Sequence, residues 1–187
     1  MRIVAGSRKG ARIFAPKGIE TRPTGDRVRE AAFNLIGPVE GASVLDLFAG
    51  SGAMGLEALS RGADRAVFVE WDRDACRAIE RNLAKLGLTG ARIACQDVLS
   101  FLATERARYD VVLVDPPYEM VESLQMRLAA YLPHVLTADG LLVFETSSRI
   151  ELDLPLKKRT SRRYGSARLT LFEHGSRSSG AAGEGLE

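Results

Sequence analysis

The stretch Asp115-Pro116-Pro117-Tyr118 combines residue types that suit the binding of a flat, polar group. It follows the apolar run VVLV, which is typical of a strand buried on both faces. A carboxylate and the Pro116 carbonyl can accept hydrogen bonds from an exocyclic amine, and a tyrosine ring can stack on a base. The prolines would stiffen the turn that holds both acceptors. A proline turn with a surface aspartate is the alternative.

A second group of residues predicts a nucleotide-binding loop. Gly50, Gly52 and Gly55 spell G-x-G-x-x-G between the strand SVLDLF and a helix from Ala53. Glu70 ends the next strand, twenty positions after Gly50, where an acid can bind ribose hydroxyls. A glycine turn used only for packing is the alternative.

Two further acids bear on the kind of nucleotide. Asp46 lies just before the loop, where it would repel a pyrophosphate but attract the ammonium of a methionine moiety, so S-adenosylmethionine fits better than a dinucleotide. Asp97 ends the third strand, where it could accept the adenine amine, cap the next helix, or do both. With this donor, the Asp115 turn would orient an amine for methyl transfer, and orientation can supply up to ~7–11 kcal/mol of a barrier.

The elements that must position these residues alternate between strand and helix. Five strands separated by helices predict a parallel sheet covered on both faces. RIVAG and ARIFAP predict a β-hairpin around SRKG, and TGDRVREAAFNLIG predicts a helix capped by Thr24 or Asp26. LPLKKRTSRRYGSARLTLFEH predicts a terminal strand pair with a basic turn, and the Gly/Ser-rich residues after His174 predict disorder.

Composition limits the remaining possibilities. The chain has 187 residues, of which 45% are apolar and 27% charged, as expected for one globular domain. No long apolar run predicts a membrane anchor or a signal peptide, so a cytoplasmic protein is expected. Two cysteines and two histidines, spread along the chain, predict neither a zinc site nor a structural disulfide.

Positive charge is concentrated at the two ends. Residues 1–29 hold eight Lys/Arg against two acids, and residues 157–168 hold six with no acid. The rest of the chain is acidic, with 22 of the 24 Asp/Glu. Two basic segments that converge would bind the phosphates of a polyanion, whereas separate segments would be ordinary solvated surface.

RPTGDRVREAAFNLIG, VLDLFAGSGAMGLEALSRGA, VFVE and DVVLVDPPYE resemble the RsmD family, bacterial enzymes that methylate N2 of guanine-966 in 16S ribosomal RNA. The resemblance covers residues 1–174, and Gly25 stands where the family often has Thr. It implies an α/β, Rossmann-like class I S-adenosylmethionine-dependent methyltransferase with a seven-stranded, mostly parallel sheet. The implied parts are an RNA-contacting N-terminal β-hairpin extension (1–25), the methyltransferase domain (26–174) and a disordered tail (175–187).

The resemblance also implies cofactor, partner and site residues. S-adenosylmethionine would be the cofactor, and the substrate would be 16S ribosomal RNA in an assembling small subunit. The residues themselves predict no metal site and demand no partner chain, so we expect a monomer. The catalytic turn would be Asp115, Pro116, Pro117 and Tyr118. The cofactor would contact Asp46, Phe48, Gly50, Ser51, Gly52, Glu70, Trp71, Asp97, Val98 and Asp115. The RNA would contact Arg2, Arg8, Lys9, Arg12, Arg22, Thr24, Arg27, Tyr118, Arg162 and Arg163. Among these, Arg22, Thr24 and Arg27 would lie near either the cofactor or the RNA backbone.

Several other classes of protein remain alternatives. A DNA or RNA adenine-N6 methyltransferase would use the same D-P-P-Y chemistry, although the DNA enzymes normally carry a further domain for reading sequence. A cytosine-C5 methyltransferase needs a cysteine after a proline, which neither Cys76 nor Cys95 provides. A protein glutamine methyltransferase would usually carry N-P-P-Y. A nicotinamide-dependent dehydrogenase leaves Asp46 and Asp115 unexplained, and an RNA-binding module without activity leaves the cofactor loop unexplained.

Overall fold

The computed structural model describes residues 1–16 and 24–174. Arg22, the side chain of Thr24 and the tail 175–187 lie outside the described residues, so the predictions made for them stay predictions. The helices are α1 Thr24–Ile36, α2 Ala53–Ser60, α3 Arg73–Leu86, α4 Val98–Thr104 and α5 Val121–Tyr131. The strands are β1 Ser43–Leu47, β2 Arg65–Glu70, β3 Ala91–Cys95, β4 Tyr109–Val114, β5 Leu136–Ser147, β6 Lys157–Tyr164 and β7 Ala167–Glu173.

Within these residues the strands form one seven-stranded sheet in the order β3-β2-β1-β4-β5-β7-β6. Strands β1 to β5 pair in parallel, whereas β7 is antiparallel to both of its neighbours. The predicted α/β class and mostly parallel sheet are confirmed. Because the first five strands run in parallel, the residues that follow each of them meet at one edge of the sheet.

Helices cover both faces of the sheet, as the alternating pattern predicts. One apolar cluster joins α1, α2 and α3 to side chains such as Val44, Leu113 and Val143. The other joins α4 and α5 to side chains such as Leu45, Val112 and Phe144. Neighbouring residues of β1 and β4 therefore contribute to opposite clusters, which explains why these strands are apolar at nearly every position. We call the α1–α3 side the first face.

The N-terminal residues 1–16, here called the arm, pair with each other as predicted, but over a shorter stretch than a regular β-hairpin. The arm forms a single β-bridge, between Arg2 and Arg12, and a short 3₁₀ turn at Gly6–Arg8. Side chains of the domain also bind its backbone. Glu57 of α2 accepts hydrogen bonds from the N–H groups of Val4 (2.7 Å) and Ala5 (2.9 Å). Three backbone hydrogen bonds also cross the arm: the N–H of Ile3 donates to Ala11 (2.9 Å), that of Gly10 to Ile3 (2.8 Å) and that of Ile13 to Met1 (3.2 Å). The predicted antiparallel pairing is therefore confirmed over a short stretch, without continuous strands.

The second difference concerns the C-terminal basic segment. The predicted terminal strand pair is confirmed as β6 and β7. The basic residues KKRTSRRY form β6, at the outer edge of the sheet, and do not lie in the turn. The turn itself is Gly165-Ser166. Edge strands tolerate charge because one side of the strand faces solvent, and charged side chains discourage pairing with other chains.

Candidate active site

The two predicted sites lie next to each other because β1 and β4 are neighbours in the sheet. Leu47 pairs with Val114, and each is the last residue of its strand. The glycine loop that follows β1 and the turn that follows β4 therefore start side by side. A donor held by the loop would face an acceptor held by the turn.

The glycine loop has the backbone that its residues predict. Gly50 and Gly52 have φ values of 54° and 77°, in the left-handed region that favours glycine. A Cβ on Gly55 would lie 2.3 Å from Cε1 of Phe68, so α2 can pack against β2 only without a side chain there. Phe48 also has a positive φ, of 61°, although it is not glycine. Strained backbone of this kind concentrates at binding sites.

Asp46 lies beneath this loop and is 3% exposed. Its Oδ2 accepts a hydrogen bond of 2.8 Å from the N–H of Gly55. Burial raises the pKa of Asp46 to about 7; the Gly55 N–H opposes this shift and the charge of Glu70 adds to it. A buried carboxylate with a raised pKa is stabilised by a nearby cation. This environment fits the ammonium of a methionine moiety and does not fit a pyrophosphate.

Glu70 binds the glycine loop as well as lying where a ribose is expected. Its Oε2 accepts a hydrogen bond of 2.8 Å from the backbone N–H of Gly50. Its Oε1 accepts one of 2.8 Å from the backbone N–H of Asp72. Glu70 therefore fixes the loop from the end of β2. Trp71, the next residue, is 73% exposed, and its predicted contact with the cofactor stays a prediction.

Asp97 has the capping role that was one of its two predicted roles. Its Oδ1 accepts hydrogen bonds from the N–H (2.9 Å) and the hydroxyl (3.2 Å) of Ser100, at the start of α4. Val98 is buried in the second apolar cluster. Asp97 itself is exposed at the carboxyl edge of β3, so it also remains available for the predicted contact with adenine.

The Asp115–Tyr118 turn is more open than the glycine loop. Asp115 and Pro117 are exposed, Pro116 is buried and Tyr118 is half-buried. The hydroxyl of Tyr118 donates a hydrogen bond of 3.3 Å to Oε1 of Glu145, on β5. Glu145 was not among the predicted site residues, although it ends the apolar run LLVF in the same way that Glu70 ends RAVFV.

Three predicted RNA contacts of the arm and α1 lie together. Arg2, Lys9 and Arg27 line a cleft of about 440 Å³ that Asp26 and Glu30 also border. Arg8 does not line this cleft; its guanidinium donates to the carbonyls of Leu86 and Gly87, at the C-terminus of α3, and its contact with RNA stays a prediction. Arg12 is exposed, and its carbonyl accepts a hydrogen bond of 2.7 Å from Lys85.

The predicted contacts on β6 separate onto two faces of the sheet. Arg162 pairs with Leu169, which in turn pairs with Glu145, so these three residues form one row across the strands. Leu169 packs in the cluster of the first face, and residues in a row share a face, so Arg162 belongs to that face with Glu145. Arg163, one residue further along, points to the opposite face.

Two buried polar residues that attach the arm were also missed. Glu57 is fully buried and pairs with Arg61 (2.8 Å) and Arg29 (3.4 Å) in addition to the arm backbone. Asn82 binds both backbone groups of Phe14 and donates to the carbonyl of Ser51 in the glycine loop. An acid or amide inside an apolar helical pattern was the available signal for both residues.

In the described part of the chain no helix is long and apolar enough to cross a bilayer. The same residues contain no group of three or more His, Cys, Asp or Glu side chains that could hold a metal ion.

Comparisons with known proteins agree with this geometry. Residues 1–173 match the model of a family described as "Conserved hypothetical protein 95". This chain belongs to that family, the RsmD family. The "Putative rRNA methyltransferase YlbH" of Bacillus subtilis is 39% identical over 159 residues, which are 81% of this chain and 85% of the relative.

A curated sequence and a solved structure, both from Escherichia coli, extend the comparison. "Ribosomal RNA small subunit methyltransferase D" is 44% identical over 119 residues, which span 63% of this chain and 60% of that protein. The solved structure "Putative methyltransferase yhhF" superposes with a TM-score of 0.80 at 33% identity, over 94% of this chain and 99% of that one. The chain is therefore a methyltransferase with the fold that its sequence predicts.

Proposed function

We propose that this RsmD-family chain transfers a methyl group from S-adenosylmethionine to N2 of a guanine in small-subunit ribosomal RNA, at the position that the family calls 966. The adjacency of the glycine loop and the Asp115 turn, through the pairing of Leu47 with Val114, is the observation that carries the proposal. The names of the relatives support the choice of ribosomal RNA as the substrate class.

The residues of the loop side would bind and orient the cofactor. Asp46 would attract its ammonium, Gly50 and Gly52 would allow close approach of the backbone, and Glu70 would accept from the ribose hydroxyls. Asp97, with Val98 beside it, would accept from the adenine amine. When bound, the sulfonium cofactor supplies an electrophilic methyl group.

The residues of the turn side would hold the amine that accepts the methyl group. The Asp115 carboxylate and the Pro116 carbonyl would each accept one N–H bond, which directs the nitrogen lone pair out of the base plane. Tyr118 would stack on the base and compensate part of the cost of removing it from its helix, at ~1–3 kcal/mol per stacked base. The amine becomes acidic as the new bond forms, and its proton passes to Asp115 or to water.

Cationic side chains of the arm, α1 and β6 would bind the RNA backbone. Arg2, Lys9 and Arg27 line the cleft beside the arm, and Arg162 lies two strands from Glu145 on the same face. Such contacts give affinity without selecting a base. We further propose that a cytoplasmic monomer acts on the assembling small subunit.

The test is methyl transfer from labelled S-adenosylmethionine to three acceptors: small subunits lacking the modification, naked 16S RNA, and duplex DNA. We expect label in the ribosomal RNA, in the particle, the naked RNA or both, and none in the DNA. An Asp115→Ala variant that still binds the cofactor is the control, and its reaction should lose the label. Label only in DNA or protein would overturn the ribosomal assignment and leave the cofactor site intact.

A further inference from the structure

Glu145 is a second carboxylate at the base side of the site. Val114 of β4 and Phe144 of β5 are the last pair between these two strands. Asp115 directly follows Val114, and Glu145 directly follows Phe144. Neighbouring strands lie about 4.8 Å apart, so the two backbones carry these acids side by side. Glu145 is half-buried, and its backbone is fixed in β5 by pairing with Leu169.

The Tyr118 hydroxyl connects Glu145 to the catalytic turn. Its hydrogen bond of 3.3 Å to Oε1 of Glu145 holds the tyrosine hydroxyl beside β5. A base stacked on the tyrosine ring would therefore have the Asp115 turn at one part of its edge and Glu145 at another. A carboxylate carries four lone-pair sites, so Glu145 can accept from Tyr118 and from a base at the same time.

Purines differ in what they offer to a carboxylate at this place. Guanine presents two kinds of donor on its Watson–Crick edge, the ring N1–H and the N2 amine. Adenine presents its amine beside a ring nitrogen, N1, that carries a lone pair and no hydrogen. A carboxylate accepts from guanine N1–H but repels the adenine N1 lone pair. Enzymes that extrude a base commonly select it by hydrogen bonds to this edge.

We propose that Glu145 is the residue that selects guanine, by accepting the N1–H while Asp115 and the Pro116 carbonyl accept the N2 amine. This inference rests on the proposed function and adds the group that discriminates among bases. It also explains why a D-P-P-Y turn, whose acceptors suit any exocyclic amine, would act on guanine and not on adenine. An unpaired buried group in the wrong complex is what makes such discrimination large.

The experiment compares guanine with 2-aminopurine at the target position. 2-Aminopurine keeps the 2-amino group that receives the methyl but lacks the N1 hydrogen and the O6 oxygen. The change of preference in Glu145→Gln, and not the wild-type preference alone, therefore assigns the effect to the N1 hydrogen. The RNA is ligated from two pieces so that only this base differs, and it is used in whichever form, naked or assembled, the transfer assay identifies as substrate. The readout is the ratio of kcat/KM for the two bases, with wild type, Glu145→Gln and Tyr118→Phe.

We expect wild type to prefer guanine by about 100-fold, as for loss of a hydrogen bond to a charged group. The Gln side chain can accept from guanine N1–H or donate to the 2-aminopurine N1, so Glu145→Gln should reduce the preference to about fivefold or less. Tyr118→Phe removes the hydroxyl that Glu145 binds and keeps the carboxylate. It should leave the wild-type preference in place, whatever its effect on the rate for both bases.

Three results would overturn the inference. The first is that wild type has the same kcat/KM for guanine and 2-aminopurine, a result that does not depend on any variant folding. Glu145→Gln could keep the full preference, or Tyr118→Phe could abolish it as completely as Glu145→Gln, which would mean that Glu145 acts only through Tyr118. If wild type methylates 2-aminopurine and guanine alike, the proposed function survives. If it fails on the guanine RNA itself, the proposed function fails and this inference with it.

Discussion

The cofactor side and the base side of this site differ in how far the protein itself fixes their geometry. On the cofactor side, Asp46 and Glu70 are buried, and each accepts a hydrogen bond from the backbone of the glycine loop or of α2. On the base side, Asp115 and Pro117 are exposed, and the turn is linked to β5 through the Tyr118 hydroxyl. A small cofactor can bind to a preformed pocket, whereas a base extruded from folded RNA needs an open surface.

The largest expected effect separates catalysis from cofactor binding. Asp115→Ala should lower turnover by about 10²–10³-fold, as for the loss of one preorganised polar group that stabilises a transition state. The affinity for S-adenosylmethionine should change by only a few-fold, because the buried loop residues remain. Single-turnover kinetics and a direct cofactor titration measure the two quantities separately. Equal losses of turnover and affinity would mean that the two sides are not independent.

The second effect is a pH dependence confined to the cofactor side. Burial raises the pKa of Asp46 from its ordinary 3.8 to about 7, so the ligand-free folded chain keeps a proton there that the unfolded chain has lost. The free energy of unfolding should therefore fall as the pH rises through this window. A cationic ligand favours the ionised form, so cofactor affinity should rise by up to about tenfold per pH unit below about pH 7.

Asp46→Asn is the variant that isolates this group, since it keeps the shape of the side chain and removes the charge. Both pH dependences should become flatter in the variant. They are measured by thermal unfolding without ligand and by calorimetric titration with it. An unchanged affinity profile in Asp46→Asn would assign the titration to another group and remove Asp46 from the ammonium site.

The sequence predicts those site residues whose placement depends on a local motif, and it does not predict those whose placement depends on the order of strands in the sheet. Gly50, Gly52 and Glu70 belong to one strand-loop-helix-strand unit with fixed spacing, so their placement at the edge of the sheet could be predicted. Asp97 could be assigned to the helix cap for the same reason. Glu145 could not be paired with Tyr118, because their contact depends on the order of β4 and β5 in the sheet.

The two basic segments show the same limit. Their charge was visible in the composition, but a run of cations does not indicate whether it forms a turn or an edge strand. The pairing within the arm could be predicted from its two apolar runs and the turn between them. Its attachment to Glu57 and Asn82, more than fifty residues away, could not. Tertiary contacts of this kind leave no signal in the local sequence pattern.

A smaller effect on stability compares two helical glycines. A Cβ on Gly55 would meet the Phe68 ring at 2.3 Å, whereas a Cβ on Gly25 would meet nothing within 4 Å. We expect Gly55→Ala to cost about 1–3 kcal/mol through overpacking beside the cofactor loop. Gly25→Ala should be neutral or stabilise α1 by up to about 1 kcal/mol, since alanine favours helix. Chemical denaturation measures both, and similar costs for the two would contradict the packing argument.

The smallest effect concerns binding of the RNA backbone. Arg27→Glu and Arg162→Glu should each make the salt dependence of RNA binding shallower, by about 0.7–0.9 in the log–log slope for each phosphate that the variant no longer neutralises. Arg106→Glu is the matched control, because Arg106 is exposed but precedes β4, at the edge of the sheet opposite the site. Binding isotherms at several salt concentrations give the slopes. If the salt slope changed equally in all three variants, the effect would come from net charge in general and the predicted RNA surface would be contradicted.

The function proposed for the Asp115 turn is to present the exocyclic amine of a guanine to the cofactor bound beside it. The most direct test is to identify the methylated nucleosides in ribosomal RNA after reaction of wild type with labelled S-adenosylmethionine. We predict that the label appears in N2-methylguanosine at a single position and is absent after reaction with Asp115→Ala. Label in a ring nitrogen, a ring carbon or another base would contradict this function.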